Sequence, residues 1–354
     1  MPAIFILFAL ISVLTLSSIA PELAPRQFFF FLAGGVIFYL VSKLRFGTIE
    51  RLSPLGYATT IFLLILTLII SLQTRDTSRW IDVAGLFRLQ PSQLAIPAVG
   101  LLTSHLIRTR SMAKWSQLFL ILVIVLIPAI LILIEPDLGT TLVYLACLGT
   151  GIYFSDIRPR QILILLSSAV VVGALSWMFI LEPYQKQRIF SFMGSGENTT
   201  STQLTTQYNA RQSLIAVGSG QMAGRGLGQG VQSHLRFLPE RQTDFIFASL
   251  AEEFGFIGSA LIISLYFLIF TFLLYIGIQA ERVSAQIFCF ITAAMILIQT
   301  TINIGMNIGI LPITGLTLPL LSYGGSSLIS IAGMFGVVQT ITKNQSKKIS
   351  LHLR

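Results

Sequence analysis

The sequence predicts an all-α polytopic membrane protein of about ten transmembrane helices with one large extracytoplasmic loop. Three observations predict it. Hydrophobic residues make up 54% of the 354 and charged residues only 10%, where a soluble domain carries about a quarter charged. Mean hydropathy is +0.82. The apolar residues also fall into ten blocks near the ~20-residue length that crosses a bilayer, with polar breaks between them.

In chain order the blocks run over roughly 3–20, 27–43, 54–73, 92–107, 115–134, 138–154, 161–180, 245–279, 284–306 and 322–342. The first ends in Ser18-Ile19-Ala20, which resembles a cleavage site, but it has no basic start and reads as a retained span. The fourth and sixth are short. Asp137, following Pro136, is expected to cap the sixth. The eighth is long enough to tilt or to continue past the interface. Ahead of the tenth and into it, Pro312 to Ser327 is glycine-rich and uncharged with two prolines. That stretch reads as a re-entrant or broken element lining a cavity. Its hydroxyls (Thr314, Ser322, Tyr323, Ser326) suit a sugar or a diphosphate, and small residues there equally suit close helix packing.

Basic residues set the orientation. Thirteen of the 23 Lys and Arg fall in segments that an inner N-terminus makes cytoplasmic, and four (Arg26, Arg75, Arg79, Arg88) fall in short outer loops. The remaining six lie in 181–243, too long a segment for the charge rule to govern. Both termini are therefore expected inside, with one membrane domain over 1–354 and one large outer loop over 181–243. A net charge of +9 suits anionic lipid headgroups, and its division between the two faces argues against nucleic acid. Cys147 and Cys289 fall inside spans as small packing residues. His105, His234 and His352 lack zinc-ligand spacing. No cofactor is readable, and a divalent cation is left open.

The outer loop carries the polar chemistry. Its Ser191–Thr206 stretch reads as a mobile loop and Tyr208–Val217 as an amphipathic helix lying at the interface. Gly218 to Gly230 follows, glycine-dense, with Arg225 inside it. Glycines at alternate positions turn backbone N–H groups toward an anion, or simply satisfy turns. Arg188, Arg211, Arg225, Arg236 and Arg241 share this segment with few acids, an arrangement suited to a diphosphate. The loop closes on Leu238-Pro239-Glu240-Arg241-Gln242-Thr243-Asp244, directly before the apolar run that starts at Phe245. Charges at that threshold are costly to desolvate and point to chemistry at the bilayer surface. Asp244 also fits a helix cap. Glu240 would share a helical face with it four residues on, unless Pro239 breaks the helix. Glu252 and Glu253, inside the eighth block, fit a structural pairing as well as a substrate contact. Arg75, Arg79, Trp80 and Arg88 fit a lipid headgroup, a partner or plain interface anchoring.

Several of these motifs together resemble one family. They are Gln90-Pro91-Ser92, Glu135-Pro136-Asp137-Leu138-Gly139-Thr140, the run Gly224–Gly230, Leu238–Gly255 with Ala251-Glu252-Glu253, and Asn303 through Gly309-Ile310-Leu311-Pro312 to Ser322-Tyr323-Gly324-Gly325-Ser326-Ser327. In this order they resemble the SEDS family (shape, elongation, division and sporulation), the RodA/FtsW type of peptidoglycan glycosyltransferase, and the rod-shape type more than the division type. The resemblance implies a multi-pass protein of the bacterial cytoplasmic membrane that polymerises lipid II on the outer leaflet. It also implies a class B penicillin-binding protein as transpeptidase partner, among other membrane proteins of the elongation machinery. The family's essential aspartate matches Asp244, with Glu240, Arg188, Arg211, Arg225, Arg241, Ser322, Tyr323 and Ser326 as expected substrate contacts. A lipid II flippase and a non-catalytic scaffold are the alternatives. One departure stands out: where the family has Glu and Lys, this chain has Gln93 and Ile96. The missing lysine leads to the expectation that Arg188 or Arg241 pairs with Asp244.

Overall fold

All ten apolar blocks become helices. They are α1 (Pro2–Ile19), α2 (Ala24–Lys43), α3 (Phe46–Ile70), α4 (Ser92–Thr109), α5 (Trp115–Ile134), α6 (Leu138–Tyr153) and α7 (Pro159–Leu175), the last prolonged by a π-helical turn, Ser176–Ile180. After α8 (Ser201–Ser219) and the short α9 (Val231–His234) come α10 (Ile246–Ile278), α11 (Val283–Asn307) and α12 (Gly325–His352). An antiparallel pair, β1 (Ile81–Val83) with β2 (Phe87–Leu89), sits between α3 and α4 in the register Ile81 to Leu89. The computed structural model describes the chain apart from residues 71–78, 84–86, 182–184, 187–200 and 353–354.

Among the described residues, eight helices are long and apolar enough to cross a membrane, which makes this an integral membrane protein. The two exceptions, α4 and α6, are the blocks that were short in the sequence. Enclosure explains why they remain helical. Helix α4 buries Ser92, Thr103 and Ser104 against α3, α6 and α11, with Thr103 and Ser104 donating back to the Gly100 carbonyl. Helix α6 starts where expected: Asp137 is its N-cap and accepts from the Thr140 amide at 3.2 Å. Cys147 and Cys289 are free and buried, as packing residues should be.

The core lies on α11 and α12, where 72% of each spanning window is buried, whereas no residue of the α7 window is. Helix α7 is a peripheral span, tied at its start by Gln161, whose Nε2 donates to the Met112 carbonyl at 3.2 Å. Helix α3 begins at Phe46, earlier than its apolar block, and so takes in Glu50 and Arg51. Glu50 has a use there. It is buried, pairs with Arg108 at 3.2 Å and Arg282 at 3.3 Å, and accepts from the Ser284 hydroxyl. One carboxylate thus joins α3, α4 and α11 at the end opposite the long loop. Both arginines are partly exposed, so solvent screens the pairs. Glu50→Ala should lower stability by about 1–3 kcal/mol, mostly through the unpaired donors left behind. Thermal unfolding in detergent measures it, and an unchanged midpoint would remove the clamp.

Two loop expectations change. Helix α8 starts at Ser201, so the mobile-loop reading of Ser191–Thr206 fails for 201–206, while 191–200 lie outside the described residues. Helix α8 also does not merely lie on an interface: it packs on α10 and α11 and buries Ser213 and Ala216. The long eighth block is two helical pieces joined at Gly255, whose φ of 67° only glycine adopts readily.

Candidate active site

The break at Gly255 frees the Glu252 and Glu253 carbonyls and the Phe256 and Ile257 amides, which a continuous helix would pair. The glycine run supplies the replacements. Arg225 N donates to the Glu252 carbonyl and Gly226 N to the Glu253 carbonyl, both at 3.0 Å. Phe256 N and Ile257 N donate to the Gln221 and Met222 carbonyls at 2.8 and 3.2 Å. A Cβ on Gly224 (φ 82°) would collide with the Glu253 carbonyl, so glycine is required for this approach. Most N–H groups of the run thus meet carbonyls, Gly228 N alone meets a carboxylate of the chain, and the short α9 beyond the run supplies further donors. Gln232 N and Ser233 N donate to Glu252 at 2.8 and 3.0 Å, Ser233 Oγ does so at 2.7 Å, and Gly228 N donates to Glu253 at 3.2 Å. Ser18 on α1 also donates to Glu253. Both glutamates thus have the structural partners that one of their two readings expects.

That docked loop buttresses the start of α10, where Asp244 sits half-buried. Asp244 is not the cap of this helix. Phe245 takes the N-cap position, and the Ala248 amide is received by Asn307 Oδ1 at 3.1 Å. The three carbonyls leading to the helix are all held. Tyr323 N donates to Gln242 O at 2.9 Å, and Ser322 Oγ to Thr243 O at 2.6 Å. Asn303 and Asn307 both donate to Asp244 O. The segment 308–324 between α11 and α12 is non-helical, and in this way it packs its signature residues against the Asp244 turn. Glu240 lies in a turn with φ 50°, so it does not share a helical face with Asp244; its carboxylate accepts from the Thr243 hydroxyl at 3.3 Å.

A second carboxylate cluster forms at the α5–α6 corner. Asp137 accepts from Gln90 Nε2 at 3.1 Å and lies 3.8 Å from an Arg79 nitrogen. Arg79 also donates to the Glu135 and Pro136 carbonyls. Ser326 Oγ accepts from Gln90 N and donates to the Arg88 carbonyl, which ties α12 to the start of α4. Glu135 is fully buried and its carboxyl is pushed up to about 8, by burial first and then by Asp137, against the opposing pull of Arg79. The folded protein therefore resists ionising a group that ionises near 4.5 when unfolded. Stability contributed by the neutral form is complete below the unfolded value and declines as pH rises toward about 8. Glu135→Gln should flatten the fall in melting temperature between pH 5 and 8, in a range set by linkage. A profile as steep as that of the parent would count against a neutral Glu135.

The arginines spread over the loop. Arg211 and Arg236 are exposed. Arg225 Nε donates to the Ser219 carbonyl at 3.4 Å beside a cavity of about 410 Å³ lined by Ser219 to Arg225. Arg241 Nε donates to the Ile19 carbonyl at 3.0 Å, and its pKa is lowered by burial and by Arg236. Arg188 and Arg75 lie outside the described residues. At the two positions that depart from the family pattern, Ile96 is buried in the core and the Gln93 carbonyl accepts from Ser330 Oγ at 2.6 Å. Sequence reasoning missed Asn307 altogether and gave Asn303 no role, although two amides four apart in an apolar helix are a readable signal.

The profile of the family described as cell cycle protein, covering FtsW, RodA and SpoVE, matches residues 2–347. The chain belongs to this family. It is 34% identical over 310 residues to the peptidoglycan glycosyltransferase MrdB of Escherichia coli, across 87% of this chain and 82% of that one. To the probable peptidoglycan glycosyltransferase FtsW of Nitrosococcus halophilus it is 37% identical over 312 residues, 86% of this chain and 78% of the other. Among solved structures it is similar to a chain of a peptidoglycan synthase complex that coordinates polymerization and crosslinking. There the TM-score is 0.81 and the identity 26%, with 97% of each chain covered. The rod shape determining protein RodA of Thermus thermophilus shares the fold, with a TM-score of 0.72 at 24% identity over 97% of this chain and 96% of that one. Family membership accounts for the order of the quoted motifs, and the structure shows what binds several of them together: the Asp244 turn, the glycine run and the Ser322–Ser326 segment form one hydrogen-bonded unit.

Proposed function

We propose that the chain is a peptidoglycan glycosyltransferase that polymerises lipid II into β-1,4-linked glycan on the outer face of the bacterial cytoplasmic membrane during elongation. Both termini lie inside in this reading. The observation that carries it is the match along most of the chain to curated glycosyltransferases of the family. The held Asp244 turn at the head of α10 gives that activity a centre. In the reaction the Asp244 carboxylate takes the proton from the acceptor's 4-hydroxyl as that oxygen forms a bond to C1 of the donor sugar. The C1–O bond to the lipid diphosphate breaks on the opposite side, which inverts the α-linkage to β. Diphosphate leaves without protonation, so one carboxylate suffices where a glycosidase needs two. In this reading Arg188, Arg211, Arg225 and Arg241 steady the departing charge, with Glu240, Ser322, Tyr323 and Ser326 as substrate neighbours.

A class B penicillin-binding protein is the partner that would crosslink the strands, a reading supported by the similarity to a synthase complex that couples polymerization to crosslinking. The test is incubation of the purified protein with lipid II and gel analysis of the products. Polymer of many disaccharides is expected. Transbilayer movement of lipid II without polymer would establish the flippase reading instead, and neither activity would leave a scaffold.

A further inference from the structure

One peptide oxygen in this protein is held by two buried amides. Asn303 Nδ2 donates to the Asp244 carbonyl at 2.9 Å and Asn307 Nδ2 donates to it at 3.0 Å. Both side chains are fully buried and stand one turn apart on the same face of α11. Each is fixed in turn. Asn303 also donates to the Leu316 carbonyl at 2.7 Å, and Asn307 to the Asn303 carbonyl at 2.8 Å. Ser213 of α8 donates to the Asn307 carbonyl at 2.9 Å.

Starting α10 does not require this. Asn307 Oδ1 already receives the Ala248 amide, as a capping group would. Desolvating two amides inside an apolar helix is costly, and although both have further partners, the one acceptor they share is the Asp244 carbonyl. Fixing the peptide after Asp244, with Thr243 O held on the other side by Ser322, sets the direction of the Asp244 Cα–Cβ bond. We infer that Asn303 and Asn307 are positioning residues that aim the Asp244 carboxylate at the acceptor hydroxyl. The inference rests on Asp244 being the general base. It gives the polar positions of α11 a task in the reaction that no contact with substrate would reveal.

The test uses the full-length protein in lipid-containing micelles with lipid II, in the variants Asp244→Asn, Asn303→Ala, Asn303→Ser and the double change Asp244→Asn with Asn303→Ser. Serine keeps a polar group but cannot span the distance, and it carries the test if the alanine protein does not melt cooperatively. Displacement of a reacting group by about 1 Å costs up to 10²-fold in rate, so Asn303→Ser should lower kcat roughly 10- to 100-fold with KM within about twofold. On top of Asp244→Asn it should remove nothing more, because residues that act as a unit are not additive. A folded Asn303→Ser protein with kcat within about twofold of the parent would overturn the positioning role and leave the base untouched. So would a raised KM at constant kcat, or a further drop in the double variant. An active Asp244→Asn protein would instead remove the base itself, and the positioning role with it.

Discussion

Asp244→Asn is expected to abolish glycan polymerisation, lowering the rate by about 10²–10⁴-fold, while the protein folds and melts like its parent. Normal folding is expected because the bonds that hold this turn run through main-chain atoms. Its main-chain oxygen receives Asn303 and Asn307, and its neighbours' carbonyls receive Ser322 and Tyr323. The side chain is not the cap of α10, so exchanging carboxylate for amide leaves those main-chain bonds in place. What disappears is the negative charge together with a lone pair basic enough to accept the acceptor's proton, and an amide supplies neither. Product gels of lipid II incubations, read beside a melting curve, separate the two effects. A cooperatively folded Asp244→Asn protein that still polymerises would take Asp244 out of the mechanism.

The spans were legible because ten apolar blocks are a compositional fact, and nothing else in the chain competes for the bilayer. Their ends were legible only where a local device marks them, as Asp137 does for α6. Helix α3 starts early because Glu50 is paid for by partners on α4 and α11, which no local window contains. The start of α8 misled for a related reason. Ser201 to Thr206 reads as loop because such side chains compete for backbone groups, yet the helix nucleated by packing around Ser213 and Ala216 propagates back through them. The glycine run is legible as a place where N–H groups either converge on an anion or satisfy turns. That its partners are the Glu252 and Glu253 carbonyls and the Glu253 carboxylate depends on a helix break at Gly255, and a lone glycine in a span looks the same whether it breaks the helix or packs it. Asp244 was legible as a charged threshold, whereas the amides that hold it came from sixty residues downstream, a distance of order the whole outer segment and invisible to any periodicity.

Glu252→Ala should be among the most destabilising single changes in the chain, lowering stability by about 3–5 kcal/mol, because three buried donors lose their acceptor at about 1–3 kcal/mol each. The carboxylate is fully buried and accepts from Gln232 N, Ser233 N and Ser233 Oγ. Alanine leaves all three donors without an acceptor in a place closed off by Gly230, where even a Cβ would press on the glutamate side chain. Glu252→Gln is the sharper variant. It keeps size and one acceptor oxygen but presents an NH2 to groups that are themselves donors, so it should still lose a good part of that stability, about 1–3 kcal/mol. Thermal unfolding in detergent gives the magnitude, and limited proteolysis across residues 221–237 tells whether the docked loop opens before the bundle does. A Glu252→Ala midpoint within about 2 °C of the parent would mean that the backbone bonds around Gly255 hold the loop unaided. The loop and the Asp244 turn share the first turns of α10, so undocking is expected to silence polymerisation at temperatures where the remaining spans are still folded. Activity in this variant should therefore fall with temperature ahead of global melting, whereas in Asp244→Asn it is absent at every temperature.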